Sequence, residues 1–169
     1  IQSFDVGIER DEEKERNEAA ILWTVSHYKQ EYNLLVASRE PGGASANRIT
    51  GRKAPPVNLL SVSIPVQFQI QDIRAWAYNF SNAGELLKQI ATREVVRHFV
   101  GVDVNEIMST ARFAAGDELR TRLQARADEL KLGVKILFVG LQDVHPPVAV
   151  GGAYEKSVGA KQTREANIL

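Results

Sequence analysis

Residues 59–71 read LLSVSIPVQFQIQ, and this pattern determines the fold class. From Val62 to Ile70 every second residue is apolar, and the residues between them are polar apart from Pro65. A period of two predicts a strand with one face on a core and the other face in water. Pro65 has no N–H for a ladder hydrogen bond, so we expect it at a sheet edge or at a bulge.

The residues before this strand predict shorter strands and a loop. Residues 4–8 are typical of a short strand, and residues 20–26 and 32–37 of a β-hairpin. Residues 40–56 contain three glycines and three prolines among small and basic residues. Such a composition predicts a mobile loop between the hairpin and the long strand.

The residues after this strand predict helices, one more strand and a final helix. Amphipathic patterns favour one helix that begins at Ser81 or Asn82 and ends at Gly101, and another over residues 111–132. Residues 134–144 are β-branched and apolar, and residues 148–169 are helical in propensity. Strands followed by helices favour an α+β fold, with a largely antiparallel sheet and the amphipathic helices packed on one face. We interpret residues 1–146 as the domain body and residues 147–169 as the start of a C-terminal helix.

Composition and charge exclude several classes of protein. The 169 residues include 21 basic and 21 acidic side chains and no cysteine. Disulfides and thiolate metal sites are therefore excluded, and the overall basic field of a nucleic-acid binder is absent. No stretch approaches the ~20 apolar residues of a transmembrane helix. Because the chain begins without methionine and ends on charged residues, we interpret it as part of a larger protein, with any anchor upstream.

The residues that carry chemistry form no motif that predicts an enzyme. Glu94 and His98 are spaced to share a helix face, but we interpret them as a surface helix pair. His145 is interpreted as a strand-end residue, and His27 lies in a predicted turn. Neither a nucleophile elbow nor a phosphate-binding loop is present. We therefore predict no catalytic residue, no cofactor and no metal ion. An enzyme with a dispersed site stays as an alternative, which a large apolar pocket with His98 or His145 would favour.

The last two-thirds of the chain, from about Val57 to the end, resembles the SPFH, or band 7, family of stomatins, prohibitins, flotillins and HflK. The resemblance begins with the strand of residues 62–72 and the following Asn-Ala-Gly-Glu-Leu-Leu of residues 82–87. It continues, in the family's order, through residues 90–101, 103–108, 132–136, the Asp-Val-His-Pro-Pro of residues 143–147 and the helical residues 155–166. The Pro146-Pro147 step and the helix after it are most similar to HflK-like members.

This resemblance implies an SPFH fold and a non-catalytic, membrane-associated scaffold. Members of the family carry a hydrophobic anchor and assemble with related SPFH subunits into homo- or hetero-oligomers. HflK-like members modulate the membrane AAA+ protease FtsH, and the family also organises membrane patches. The resemblance leaves open on which side of the membrane the domain lies. The neutral net charge favours no nucleic-acid partner.

Two surfaces are candidates for such contacts. Val150, Tyr154 and Val158 share one helical face, with Val148 just before them, and we predict that this stripe is an oligomer interface. Arg48, Arg52 and Lys53, in the loop of residues 40–56, are candidates for contact with anionic lipid. Two alternatives stay open: the final helix can fold onto its own domain, and the loop can serve a soluble adaptor as the site that binds a protein partner.

Overall fold

The structure, a computed structural model, describes residues 1–10, 23–37, 57–109 and 111–167. The strands are β1 Gln2–Val6, β2 Ile8–Glu9, β3 Gln30–Glu31, β4 Asn33–Ala37, β5 Val57–Ile70, β6 Val134–Val139 and β7 Gln142–His145. The helices are α1 Ile73–Tyr78, α2 Ala83–Gly101, α3 Val104–Ile107, α4 Arg112–Glu129 and α5 Val148–Ala166. This order of elements, with strands before helices, confirms the predicted α+β class.

The long strand β5 is the centre of the sheet. It pairs antiparallel with β1 and β4 along one side and with β6 and β7 along the other. Pro65 therefore does not lie at an edge. It lies opposite the break between β6 and β7, where its carbonyl accepts a hydrogen bond from the Gly140 N–H at 3.2 Å. The register shifts of β5 lie at Gln67/Phe68 and at Ser61/Ser63, so the bulge that was the second possibility is not found at Pro65 either. The break between β6 and β7 is what accommodates the proline in a central strand.

The hydrophobic core lies between this sheet and the helices. The face of β5 that carries Val62, Ile64, Val66 and Phe68 is buried, as its period of two predicts. Helix α2 lies against β1 and β4, and α4 lies against β6. Asn82 caps α2 by accepting a hydrogen bond from the Glu85 N–H. The predicted packing of two amphipathic helices on one sheet face is therefore confirmed.

The predicted hairpin of residues 20–26 and 32–37 is wrong in its first arm. Residues 23–26 form a turn, and residues 20–22 lie outside the described part of the chain, as does the predicted loop of residues 40–56. The second arm is β4, which pairs with β5 instead. In the turn at residues 23–26, the Trp23 ring packs on Tyr154 of α5, and Val25 is 50% exposed.

Helix α5 leaves the domain directly after β7, through Pro146 and Pro147. Its first turns lie close to the turn at residues 23–26, because Gly151 approaches the Trp23 backbone. A Cβ atom at Gly151 would stand 2.5 Å from the Trp23 carbonyl oxygen, so only glycine fits there. Of the helices within the described residues, none is both long and apolar enough to cross a bilayer.

Candidate functional site

The predicted interface stripe on α5 divides into a covered part and an open part. Tyr154 faces the domain body: its ring centroid lies 5.9 Å from that of Trp23, and its hydroxyl lies 3.4 Å from the Met108 sulfur. Val150 is 50% exposed, and Val148 and Val158 are half-buried. The structure therefore places one stripe residue on its own domain and leaves Val150 open to solvent.

The sheet face opposite the helices carries an exposed apolar patch, formed by Leu35, Val57 and Leu59. Leu35 of β4 stands directly across from Leu59 of β5, and Val57, two pairs further along, is the next residue of β5 on the same face. Their exposed fractions are 52%, 43% and 45%. Three exposed aliphatic side chains together on one sheet face are typical of a contact surface. Sequence reasoning missed this patch because it assigned β4 to a different pairing.

The basic side chains predicted to touch lipid, Arg48, Arg52 and Lys53, lie outside the described residues, as does the rest of their loop. The patch is nevertheless next to them in sequence, since β4 ends at Ala37 and β5 begins at Val57. The two strands that flank residues 38–56 therefore present apolar side chains next to Arg48, Arg52 and Lys53 in sequence.

A buried polar cluster lies further along the same sheet face, between β7 and residues 26–31. It contains His27, Glu31 and His145, whose potential ligand atoms all lie within 4.8 Å of one another. His145 is 1% exposed and His27 is 8% exposed. This group could not be predicted from the sequence, because its members come from opposite ends of the chain and the first two lie in a predicted turn.

Hydrogen bonds hold this cluster in position. The Tyr28 hydroxyl donates to the Asp143 carboxylate, which ties residues 26–31 to β7. Burial, and then this hydrogen bond, raises the pKa of Tyr28 well above its usual value, so the phenol stays protonated as the donor. The Glu31 carboxylate accepts from the His27 backbone N–H at 2.8 Å and from the Ser26 hydroxyl at 3.3 Å.

Glu94 and His98 were predicted to be a surface pair, and this is wrong because both are buried. Glu94 lies 3.5 Å from Arg126 of α4, and His98 lies 3.7 Å from Glu118 of α4. Burial lowers the pKa of His98 below its usual value, and the nearby Glu118 opposes that shift. These contacts join α2 to α4. The face of α2 that carries Glu94 and His98 is therefore covered by α4.

Two surface grooves in the described part of the chain contain neither His98 nor His145. One lies along the outer side of α2, between Glu85 and Arg97, and the other lies beside α1, between Asp72 and Gly133. Neither groove is therefore the large apolar pocket with a histidine that would favour an enzyme.

In comparison with known proteins, residues 52–169 match the SPFH domain / Band 7 family. Protein HflK of Haemophilus influenzae is 25% identical over 109 residues, which are 64% of this chain and 26% of that protein. Protein HflK of Vibrio cholerae is 28% identical over 109 residues, 64% of this chain and 27% of that protein. The Modulator of FtsH protease HflK of Escherichia coli K12 is 21% identical over 112 residues, 66% of this chain and 26% of that protein. The chain spans about a quarter of the length of these curated relatives.

Proposed function

The chain belongs to the SPFH domain / Band 7 family, and on that premise we propose that it is a non-catalytic, membrane-associated scaffold domain. It self-assembles, and it modulates a membrane AAA+ protease of the FtsH type or organises membrane patches. The observation that carries this proposal is the family match together with relatives that include a protein named as a modulator of FtsH protease.

The exposed faces of α5 and of the sheet support self-assembly. Helix α5 has 19 residues and is about 28 Å long at 1.5 Å per residue. A helix whose apolar stripe is this narrow is marginal in isolation, so neighbouring copies would stabilise it. We propose that Val148, Val150 and Val158 contact a neighbouring subunit, and that Tyr154 joins them at the boundary with its own domain.

The membrane contact rests on residues outside the described part of the chain. Arg48, Arg52 and Lys53 are proposed to lie against anionic headgroups, at about 1 kcal/mol for each charge near the surface. A hydrophobic anchor elsewhere in the protein would supply most of the membrane affinity.

One observation favours a second function, that of a soluble adaptor. The Leu35, Val57 and Leu59 patch stands at the base of residues 40–56, so the loop and the patch together would form a continuous site for a protein partner. Deletion of residues 40–56 distinguishes the two functions: an adaptor loses its captured partner and keeps its assembly, whereas the scaffold keeps its protease contact.

Self-association of the chain tests the first proposal. Burial of one valine contributes about 1.5–3 kcal/mol, so Val150→Glu and Val158→Glu should each weaken association at least about tenfold in sedimentation velocity. Ala160→Glu is the matched control, since Ala160 is exposed on the same helix and, two residues after Val158, points away from it. We expect it to associate like the unmodified chain. A wild-type chain that stays monomeric up to millimolar concentration, alone and with an FtsH-type protease, would contradict the scaffold proposal.

A further inference from the structure

We propose that His27, Glu31 and His145 form a binding site for a divalent transition-metal ion, with Zn²⁺ as the ion that the site fits best. The proposal goes beyond the scaffold function and does not depend on it. Two imidazoles and one carboxylate are a ligand set that holds Zn²⁺ with a fourth position left for water. Both nitrogen and oxygen donors are present, whereas the sulfur ligands of many zinc sites cannot occur in a chain without cysteine.

The distances fit an ion better than they fit direct hydrogen bonds. His27 Nδ1 lies 3.8 Å from one Glu31 oxygen, and His145 Nε2 lies 3.8 Å from the other. Both separations are too long for a hydrogen bond. Ligand atoms on a tetrahedral zinc ion, at bond lengths of about 2.0–2.1 Å, stand about 3.3–3.4 Å apart. Small rotations of three side chains would therefore close this group around one ion.

The polar atoms of His27 independently point to a ligand. The residue is 8% exposed, and neither of its ring nitrogens has a hydrogen-bond partner among the described residues. Buried polar atoms in native proteins are nearly always satisfied, so an imidazole with two unsatisfied nitrogens requires an explanation. The ring stands edge-on to that of His145, with centroids 5.5 Å apart, and its Nδ1 faces the carboxylate. A metal bond to Nδ1 would satisfy this nitrogen.

Neighbouring groups orient the other two ligands. His145 Nδ1 lies 2.7 Å from the Pro146 carbonyl oxygen, and a donated N–H there leaves the Nε2 lone pair directed at Glu31. One Glu31 oxygen already accepts from the His27 N–H and the Ser26 hydroxyl, which fixes the carboxylate plane and leaves the second oxygen facing His145. Outer-shell contacts of this kind are typical of protein metal sites.

The position of the site suggests what the ion would do. His27 and Glu31 lie in a short segment that is packed on the sheet, whereas His145 ends β7 directly before Pro146, Pro147 and α5. An ion shared by these residues would join the segment to the last strand at the point where α5 leaves the domain. Because the unfolded chain would not hold these three ligands together, binding would stabilise the folded state.

Zinc binding by the whole chain tests the proposal. After treatment with a chelator, the protein is titrated with Zn²⁺ alone, by calorimetry and by competition with a chromophoric chelator. We expect one ion per chain and, at about 100 times the dissociation constant, a melting temperature raised by about 5–10 °C. His27→Gln, Glu31→Gln and His145→Gln should each weaken binding by more than the roughly 10- to 100-fold that an outer-shell substitution costs.

His98→Gln is the matched control, because His98 is the remaining histidine of the chain and is also buried. We expect this variant to bind Zn²⁺ like the wild type. Binding that the three ligand variants do not weaken, or that the control weakens equally, would overturn the proposal. If a ligand variant fails to fold by circular dichroism, X-ray absorption on the zinc-loaded wild type decides: two imidazoles on the metal support the site, and their absence refutes it.

Discussion

The substitution Gly151→Ala tests whether the start of α5 is held against its own domain. Within a helix, alanine is favoured over glycine by about 1 kcal/mol. At this position, however, the new Cβ would stand 2.5 Å from the Trp23 carbonyl oxygen and 3.1 Å from its carbonyl carbon. These are backbone atoms and cannot rotate away, so the helix or the turn has to move.

The cost of that movement exceeds the gain in helix propensity. Overpacking costs about 1–3 kcal/mol. Separation of the Trp23 and Tyr154 rings removes a further 0.5–1.5 kcal/mol or so. After the gain of about 1 kcal/mol, the expected loss of unfolding free energy is roughly 2 kcal/mol, or about 4–8 °C in a chain of this size. Gly159→Ala is the control: apart from the neighbouring residues of its own helix, no atom of the described residues lies within 4 Å of its Cβ position, so it should stabilise the protein by about 0.5–1 kcal/mol.

The assay combines thermal unfolding with the fluorescence of Trp23. The chain has two tryptophans, and Trp76→Phe leaves Trp23 as the reporter. Gly151→Ala should lower the melting temperature and shift the emission to the red, as the ring loses its contact with α5. Gly159→Ala should raise the melting temperature and leave the emission unchanged. Equal stabilisation by both substitutions would refute the docked position of α5.

Tyr28→Phe should destabilise the chain by about 1.5–3 kcal/mol in urea denaturation, since it removes a part-buried hydrogen bond to a carboxylate. Tyr32→Phe is its control, because the Tyr32 hydroxyl bonds Glu9 at an exposed position, and an equal loss in both variants would contradict the buried role of Tyr28. His98 gives a pH dependence: burial lowers its pKa in the folded state, so as pH falls below about 6.5 the unfolded chain binds a proton first and stability is lost, by at most about 1.4 kcal/mol per pH unit. His98→Gln in metal-free buffer should remove that part of the pH dependence, and an unchanged slope would contradict the burial of the imidazole.

Much of the fold could be predicted because its signals are local. Val62 to Phe68 alternate over a whole strand, and Asn82 stands where a cap is needed, so the strand and the helix α2 followed from short-range patterns. Phe113 is an apolar residue of the amphipathic helix predicted over residues 111–132, yet it is 72% exposed in α4. Helical spacing identifies the apolar face of a helix but does not show where the sheet that covers this face ends.

The candidate sites could be predicted less well because they depend on distant partners. His27 and Glu31 form a candidate site only together with His145. The antiparallel pairing of β7 with β5 brings His145 beside them. Glu94 looks like a solvent-facing charge until Arg126 of another helix is seen next to it. A single sequence contains no periodicity that joins such residues, so burial of these charged groups was missed.

Residues 23–31 contribute both to the proposed metal site and to the surface on which α5 docks. An experiment on the metal site therefore also tests the docking of α5, and the reverse. An ion that holds His27 and Glu31 against β7 also restrains Trp23, on which Tyr154 of α5 packs. Thermodynamic linkage requires that Zn²⁺ raise the docking equilibrium constant of α5 by the same factor by which docking raises the affinity for Zn²⁺. Such coupling factors are commonly about 5- to 150-fold. Gly151→Ala should therefore weaken zinc binding by that factor, while Gly159→Ala should leave it unchanged. Equal zinc affinities in the two variants would mean that the ion and the helix act independently, and that the segment does not couple them.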